Sequence, residues 1–119
     1  METRTKNITK TDIAVIGAGP VGLFMVFEAG FLGYKCAVID SLPHIGGQLS
    51  ALYPEKPIYD IPGYPSVLAG DIVEKLAEQG EPFDPQYILG NPVSELTEQK
   101  DGSFIVGTAT DEIHCKVVI

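Results

Sequence analysis

Gly17-Ala18-Gly19-Pro20-Val21-Gly22 is a GxGxxG run, and its two flanks decide how it reads. Before it, Asp12 to Ile16 form a short, apolar, β-branched stretch suited to a buried parallel strand. After it, from Pro20, come good helix formers with proline at the tolerated first helical position and apolar residues almost all round. Such a helix has to be covered on more than one side. Gly33-Tyr34 ends it, Cys36 to Ile39 give a second apolar strand, and Asp40 closes that strand. Strand, glycine turn, helix and strand together make a βαβ unit, which places the chain in the α/β class.

Each glycine has its own task in this motif. Gly17 permits the tight turn, Gly19 lets the backbone approach a pyrophosphate with no Cβ in the way, and Gly22 lets the helix pack closely on the strand. Pro20 opens the helix, whose free N–H groups and positive end then face the phosphates. About twenty residues on, Asp40 is placed to accept hydrogen bonds from both hydroxyls of an adenosine ribose. A 2′-phosphate there would meet like charge, so the site is expected to take FAD or NAD and to exclude NADP.

The segment Ser41 to Val67 is rich in proline and glycine yet dotted with Leu, Tyr and Ile, and reads as an ordered loop facing a ligand. Asp71 to Gln79 is an amphipathic helix with Ile72, Val73, Leu76 and Ala77 on one face, stopped by Gly80. Beyond Pro85 the pattern becomes that of strands: Tyr87 to Leu89, Val93 to Gln99, Phe104 to Thr110 and Ile113 to Ile119. Lys100-Asp101-Gly102-Ser103 and Asp111-Glu112 are the expected turns. The expected architecture is thus a Rossmann-like βαβ unit with a parallel sheet plus a small antiparallel β-meander. Residues 1–11 read as a polar tail and 12–119 as the dinucleotide domain. The last strand stops at Val117-Val118-Ile119, its most apolar point, which is read as the mark of a truncated domain.

A formal charge of −8 with only eight scattered basic residues argues against a nucleic-acid or anionic-membrane partner, since both draw their affinity from clustered Lys and Arg. The longest nearly apolar stretch, Val21 to Leu32, is interrupted by Glu28 and is too short for a membrane span of roughly 20 residues. The polar N-terminus has no secretory pattern, so a cytoplasmic location is expected. Cys36 and Cys115 form no CxxC pair and sit among apolar residues, as packing groups do. His44 reads as a surface histidine. No catalytic or metal-ligating residue is assigned.

The string His44-Ile45-Gly46-Gly47-Gln48-Leu49, followed by Leu52-Tyr53-Pro54-Glu55-Lys56-Pro57-Ile58-Tyr59-Asp60-Ile61-Pro62-Gly63, resembles the FAD-binding domain of thioredoxin-reductase-like ferredoxin–NADP reductases. The resemblance runs from about Thr11 to Ile119. It implies that the glycine motif and Asp40 hold FAD and that Gln48 contacts the flavin end, where the adjacent Gly46 and Gly47 would leave room for the extended cofactor to pass. It also implies that Tyr53 lies against the isoalloxazine ring and that Val93 offers its backbone to the adenine. Such a reductase is expected to transfer electrons between NADPH and ferredoxin, or a similar small electron carrier, and to work as a homodimer. It carries a second glycine fingerprint for NADPH, and since none occurs here, NADPH is expected to bind outside this sequence. The same fold leaves open a thioredoxin-reductase-type disulfide reductase, or a non-catalytic module that binds a dinucleotide. The tyrosine- and proline-rich string favours the ferredoxin reductase.

Overall fold

The structure, a computed structural model, describes residues 5–119. Its centre is a four-stranded parallel sheet of β2 (Ile13–Ile16), β3 (Cys36–Ile39), β6 (Gln86–Ile88) and β10 (Val117–Val118), in the order β10-β2-β3-β6. A second sheet has β1 (Asn7–Lys10), β7 (Glu95–Glu98), β8 (Phe104–Gly107) and β9 (Asp111–Cys115), in the order β1-β9-β8-β7. Here β7, β8 and β9 form the expected antiparallel meander, while β1 lies parallel to β9. A two-stranded ribbon of β4 (Pro57–Ile58) and β5 (Val67–Leu68) stands apart.

Alternation along the central strands builds three layers. Ala14, Ala37 and Ile39 point to one face and pack with Ile88, Val106, Ile113 and Cys115, which joins the parallel sheet to the meander. Val15, Cys36 and Val38 point to the other face, under Val26 and Ala29 of α1 (Pro20–Phe31). Helix α3 (Ala69–Gly80) packs beside α1, burying Ile72 and Val73 with Ala69. Contact is close where Gly80 faces Val26, since a Cβ there would come within 2.9 Å of a valine methyl. A 3-10 turn, Glu81–Phe83, then sets the Phe83 ring against Gly30 of α1.

The α1 ends follow from its sequence. Pro20 occupies the first turn and Gly19 is the N-cap, with no side chain to cap it. At the other end Tyr34 N–H donates to Ala29 C=O and Gly33 N–H to Gly30 C=O, the Schellman arrangement. The expected cover is only partly found: Leu23, Val26 and Ala29 are buried, but Val21 and Phe31 remain 81% and 75% exposed.

Four expectations are corrected. Asn7–Lys10 are not part of a tail: β1 pairs with β9 through residues Asp111 to His114, and only residues 1–4 lie outside the description. Asp111 and Glu112 are not a turn but open β9, and the turn falls earlier because Thr108 Oγ1 accepts hydrogen bonds from the N–H groups of Thr110 and Asp111. The run Ile113 to Ile119 is not one strand. It breaks at Lys116, where the N–H groups of Lys116 and Val117 both turn to Asp12 C=O, so β9 stays with the meander and β10 joins the parallel sheet. Thr11 and Asp12 make the same crossing between β1 and β2, so two neighbouring strands change sheets side by side. The segment 41–67 is not loop throughout, since it holds α2 (Gly47–Ala51), β4 and the start of β5. The turn at residues 100–103 is as expected. Asp101 Oδ1 accepts from both the N–H and the hydroxyl of Ser103, and these bonds hold its carboxyl below the usual range.

Candidate functional site: the glycine turn and its neighbours

The glycine turn sits at the carboxyl end of β2, where ligands of open parallel sheets bind. Gly17 has φ of +114°, a conformation a side chain rarely adopts, and its N–H donates to Ile39 C=O at 2.7 Å, which ties the turn to β3. Gly22 lies so close to the turn that a Cβ would collide with the Gly17 carbonyl oxygen. Gly19 is the opposite case: a Cβ on it would enter open space. That space adjoins the start of α1, where Val21 and Gly22 carry N–H groups with no intrahelical acceptor. A cradle free of side chains next to uncapped donors suits an anion with several oxygens.

Two clefts meet at Ile16 and Gly17. One, about 290 Å³, is lined by Gly17, Asp40, Ser41, Asn91 and Val93, among others. The second, about 250 Å³, runs along Gly19, Pro20 and Gly22 toward Met25 and Ile119. Among the described residues, Asp40 carries the only charged side chain lining either. Its Oδ2 accepts from Ala18 N–H at 2.7 Å and its Oδ1 from Leu42 N–H at 2.9 Å. Each oxygen keeps a further lone pair, so capacity for ribose hydroxyls remains. Val93 lines the first cleft, and among the described residues its backbone makes no hydrogen bond.

The segment that follows β3 folds back on the glycine turn. Gly46 N–H donates to Ala18 C=O at 2.7 Å, and a Cβ on Gly47 would stand 3.4 Å from Gly19 Cα. Gln48, the second residue of α2, lies beside this contact and is exposed. The fold therefore gathers Gly17, Gly19, Pro20, Gly22, Asp40, Gly47 and Val93. It does not bring Tyr53 into either cleft: the residue is 51% exposed, with Lys56 Nζ 5.4 Å from its ring centroid.

Sequence reasoning missed Asn91. Its side chain donates to Leu89 C=O and accepts from the Thr110 hydroxyl at 2.8 Å, while its N–H donates to Asp40 C=O. These bonds lock the cleft wall that ends in Val93. The Gly90-Asn91-Pro92 run was a turn signal that pointed there. Cys36 and Cys115 are buried as expected, and burial pushes both thiols up. A further cavity, of about 850 Å³ between α3 and residues 45–54, is a different place. Glu74, Glu78, Glu81 and Asp84 line it, and four carboxylates oppose a pyrophosphate. No helix among the described residues is long and apolar enough to cross a membrane.

No protein-family profile matches the chain. Curated proteins do match it. It is 57% identical to ferredoxin–NADP reductase 1 of Christiangramia forsetii over 110 residues, covering 92% of this chain and 31% of that protein. The ferredoxin–NADP reductase of Flavobacterium johnsoniae is 61% identical over 97 residues, 82% of this chain and 28% of its own length. Among solved structures, thioredoxin reductase from Streptococcus pyogenes superposes with a TM-score of 0.79 at 24% identity, over 92% of this chain and 34% of that one. An L-proline dehydrogenase from P. horikoshii gives 0.77 at 22%, over 98% and 23%. At such identities the superpositions establish the fold. The chain spans about a third of the length of the curated relatives it matches. In sequence this chain is similar to a segment of ferredoxin–NADP reductases, and in fold to a segment of thioredoxin reductases.

Proposed function

We propose that this chain binds FAD through the glycine turn and Asp40, and that the protein it represents is a flavoprotein oxidoreductase moving electrons between NADPH and ferredoxin. The observation that carries the first half is the shared cleft. Asp40, Val93 and the glycine turn, far apart in sequence, line one hollow that continues past uncapped helical donors. The names of relatives at 51–61% identity support the second half.

Bound flavin would supply the redox centre, able to take a hydride and release electrons singly. The chain's own residues do the holding. Backbone N–H groups at the start of α1 bind the phosphates, Asp40 takes the ribose hydroxyls, and Val93 meets the adenine edge. Gly47 and Gln48 border the path toward the flavin, and Tyr53 stacks on its ring. NADPH and ferredoxin would be bound by parts of the protein outside these residues. The disulfide-reductase reading rests on fold alone, because the thioredoxin reductases are only 21–24% identical.

The test is an absorption spectrum of the purified chain after addition of FAD and removal of the excess. Retained flavin bands at one equivalent support the reading. A protein that stays colourless, and shows no heat on titration with ADP, rejects it.

A further inference from the structure

Asp40 is already in use before any ligand arrives. Its two oxygens each accept a backbone N–H, Ala18 at 2.7 Å and Leu42 at 2.9 Å, so the carboxylate clips the glycine turn to the loop after β3. Ala18 is fully buried. Its carbonyl is held as well, by Gly46 N–H. Ala18, the residue before Gly19, is thus held at both its N–H and its carbonyl, in the peptide units on either side of its Cα, and Asp40 makes the first of these two bonds. Without it Ala18 N–H would be a buried donor with no partner, which the turn could relieve only by rotating. Rotation would carry Gly19 and the start of α1 away from the positions that suit a phosphate.

We infer that Asp40 is a positioning residue for the phosphate-binding turn, in addition to any contact with the ribose. The inference deepens the proposed dinucleotide site and rests on that reading for its ligand. It also explains the side chain required. Two N–H donors, one on each oxygen, need two acceptors; asparagine offers one acceptor and sets an NH₂ against the other donor.

A cycle separates the two roles. The chain and its Asp40→Asn and Asp40→Ser variants are titrated with ADP and with 2′,3′-dideoxy-ADP, which has no ribose hydroxyls. The expected result is that both variants bind dideoxy-ADP about ten-fold or more weakly than the wild type, the order of a lost hydrogen bond to a charged group. If a folded variant binds dideoxy-ADP as the wild type does, Asp40 serves the ribose alone and the inference is overturned. A second measurement needs no variant. In ligand-free wild type, amide exchange at Ala18 should be slow beside that at Gly19, and equal rates would overturn the clip. A wild type that binds neither nucleotide would count against the dinucleotide site, while the exchange rates would still decide the clip.

Discussion

Gly22 and Gly17 touch through the carbonyl oxygen of Gly17, which occupies the place where a Gly22 side chain would begin. The Gly17 backbone cannot retreat easily, because its N–H is held by Ile39. Overpacking of this kind costs about 1–3 kcal/mol, against a gain of up to about 1 kcal/mol from alanine in a helix. Gly22→Ala is therefore expected to lower stability by about 1–2 kcal/mol, read by denaturant titration. An unchanged midpoint would mean that α1 does not pack on the turn as described.

Gly19 is expected to behave in the opposite way. Its backbone is extended, with φ −75° and ψ −177°, and the space around it is open. Gly19→Val should keep the fold, with stability within about 1 kcal/mol as for other N-cap exchanges. FAD retention should fall by roughly ten-fold or more as the methyls fill the phosphate cradle. Stoichiometric FAD in this variant would place the phosphates elsewhere.

Burial raises the thiols of Cys36 and Cys115, with the charge of Asp12 adding to the effect at Cys36. The folded state thus keeps protons that the unfolded chain gives up above about pH 8.5. Their contribution to stability is complete below that pH and is lost as pH rises toward the folded values. Stability should decline from about pH 8.5 upward, and the Cys36→Ala, Cys115→Ala double variant should show a shallower decline. Equal slopes would assign the effect to other groups.

Tyr53 is half exposed, so Tyr53→Ala should change stability by no more than about 0.5 kcal/mol. Its proposed place against the flavin predicts a loss of about 0.5–1.5 kcal/mol in FAD binding and brighter flavin fluorescence, with Tyr53→Phe close to wild type. An alanine variant equal to wild type in both would leave Tyr53 with no role in the site.

The sequence by itself determined the βαβ unit. The strands β2 and β3 show as short apolar runs, and the glycine turn, the α1 start and the Schellman end are written in short-range patterns. The same holds for the Asp101-Gly102 turn, whose bonds span four residues. Other features depended on partners distant in the chain. Asn7–Lys10 hold a single apolar residue, Ile8, and show no apolar alternation; pairing with β9, about a hundred residues on, makes them a strand. Val117 and Val118 look continuous with β9, and it is Asp12 C=O that draws the chain across at Lys116. The proposed adenosine side of the site divides in the same way. Asp40 stands out in the sequence by its spacing from the glycine turn, but its hold on Ala18 and the anchoring of Asn91 by Thr110 are contacts across 22 and 19 residues. Local pattern records which side of an element is buried. Which groups meet there is decided by pairing and packing between elements, and only the tertiary structure fixes those.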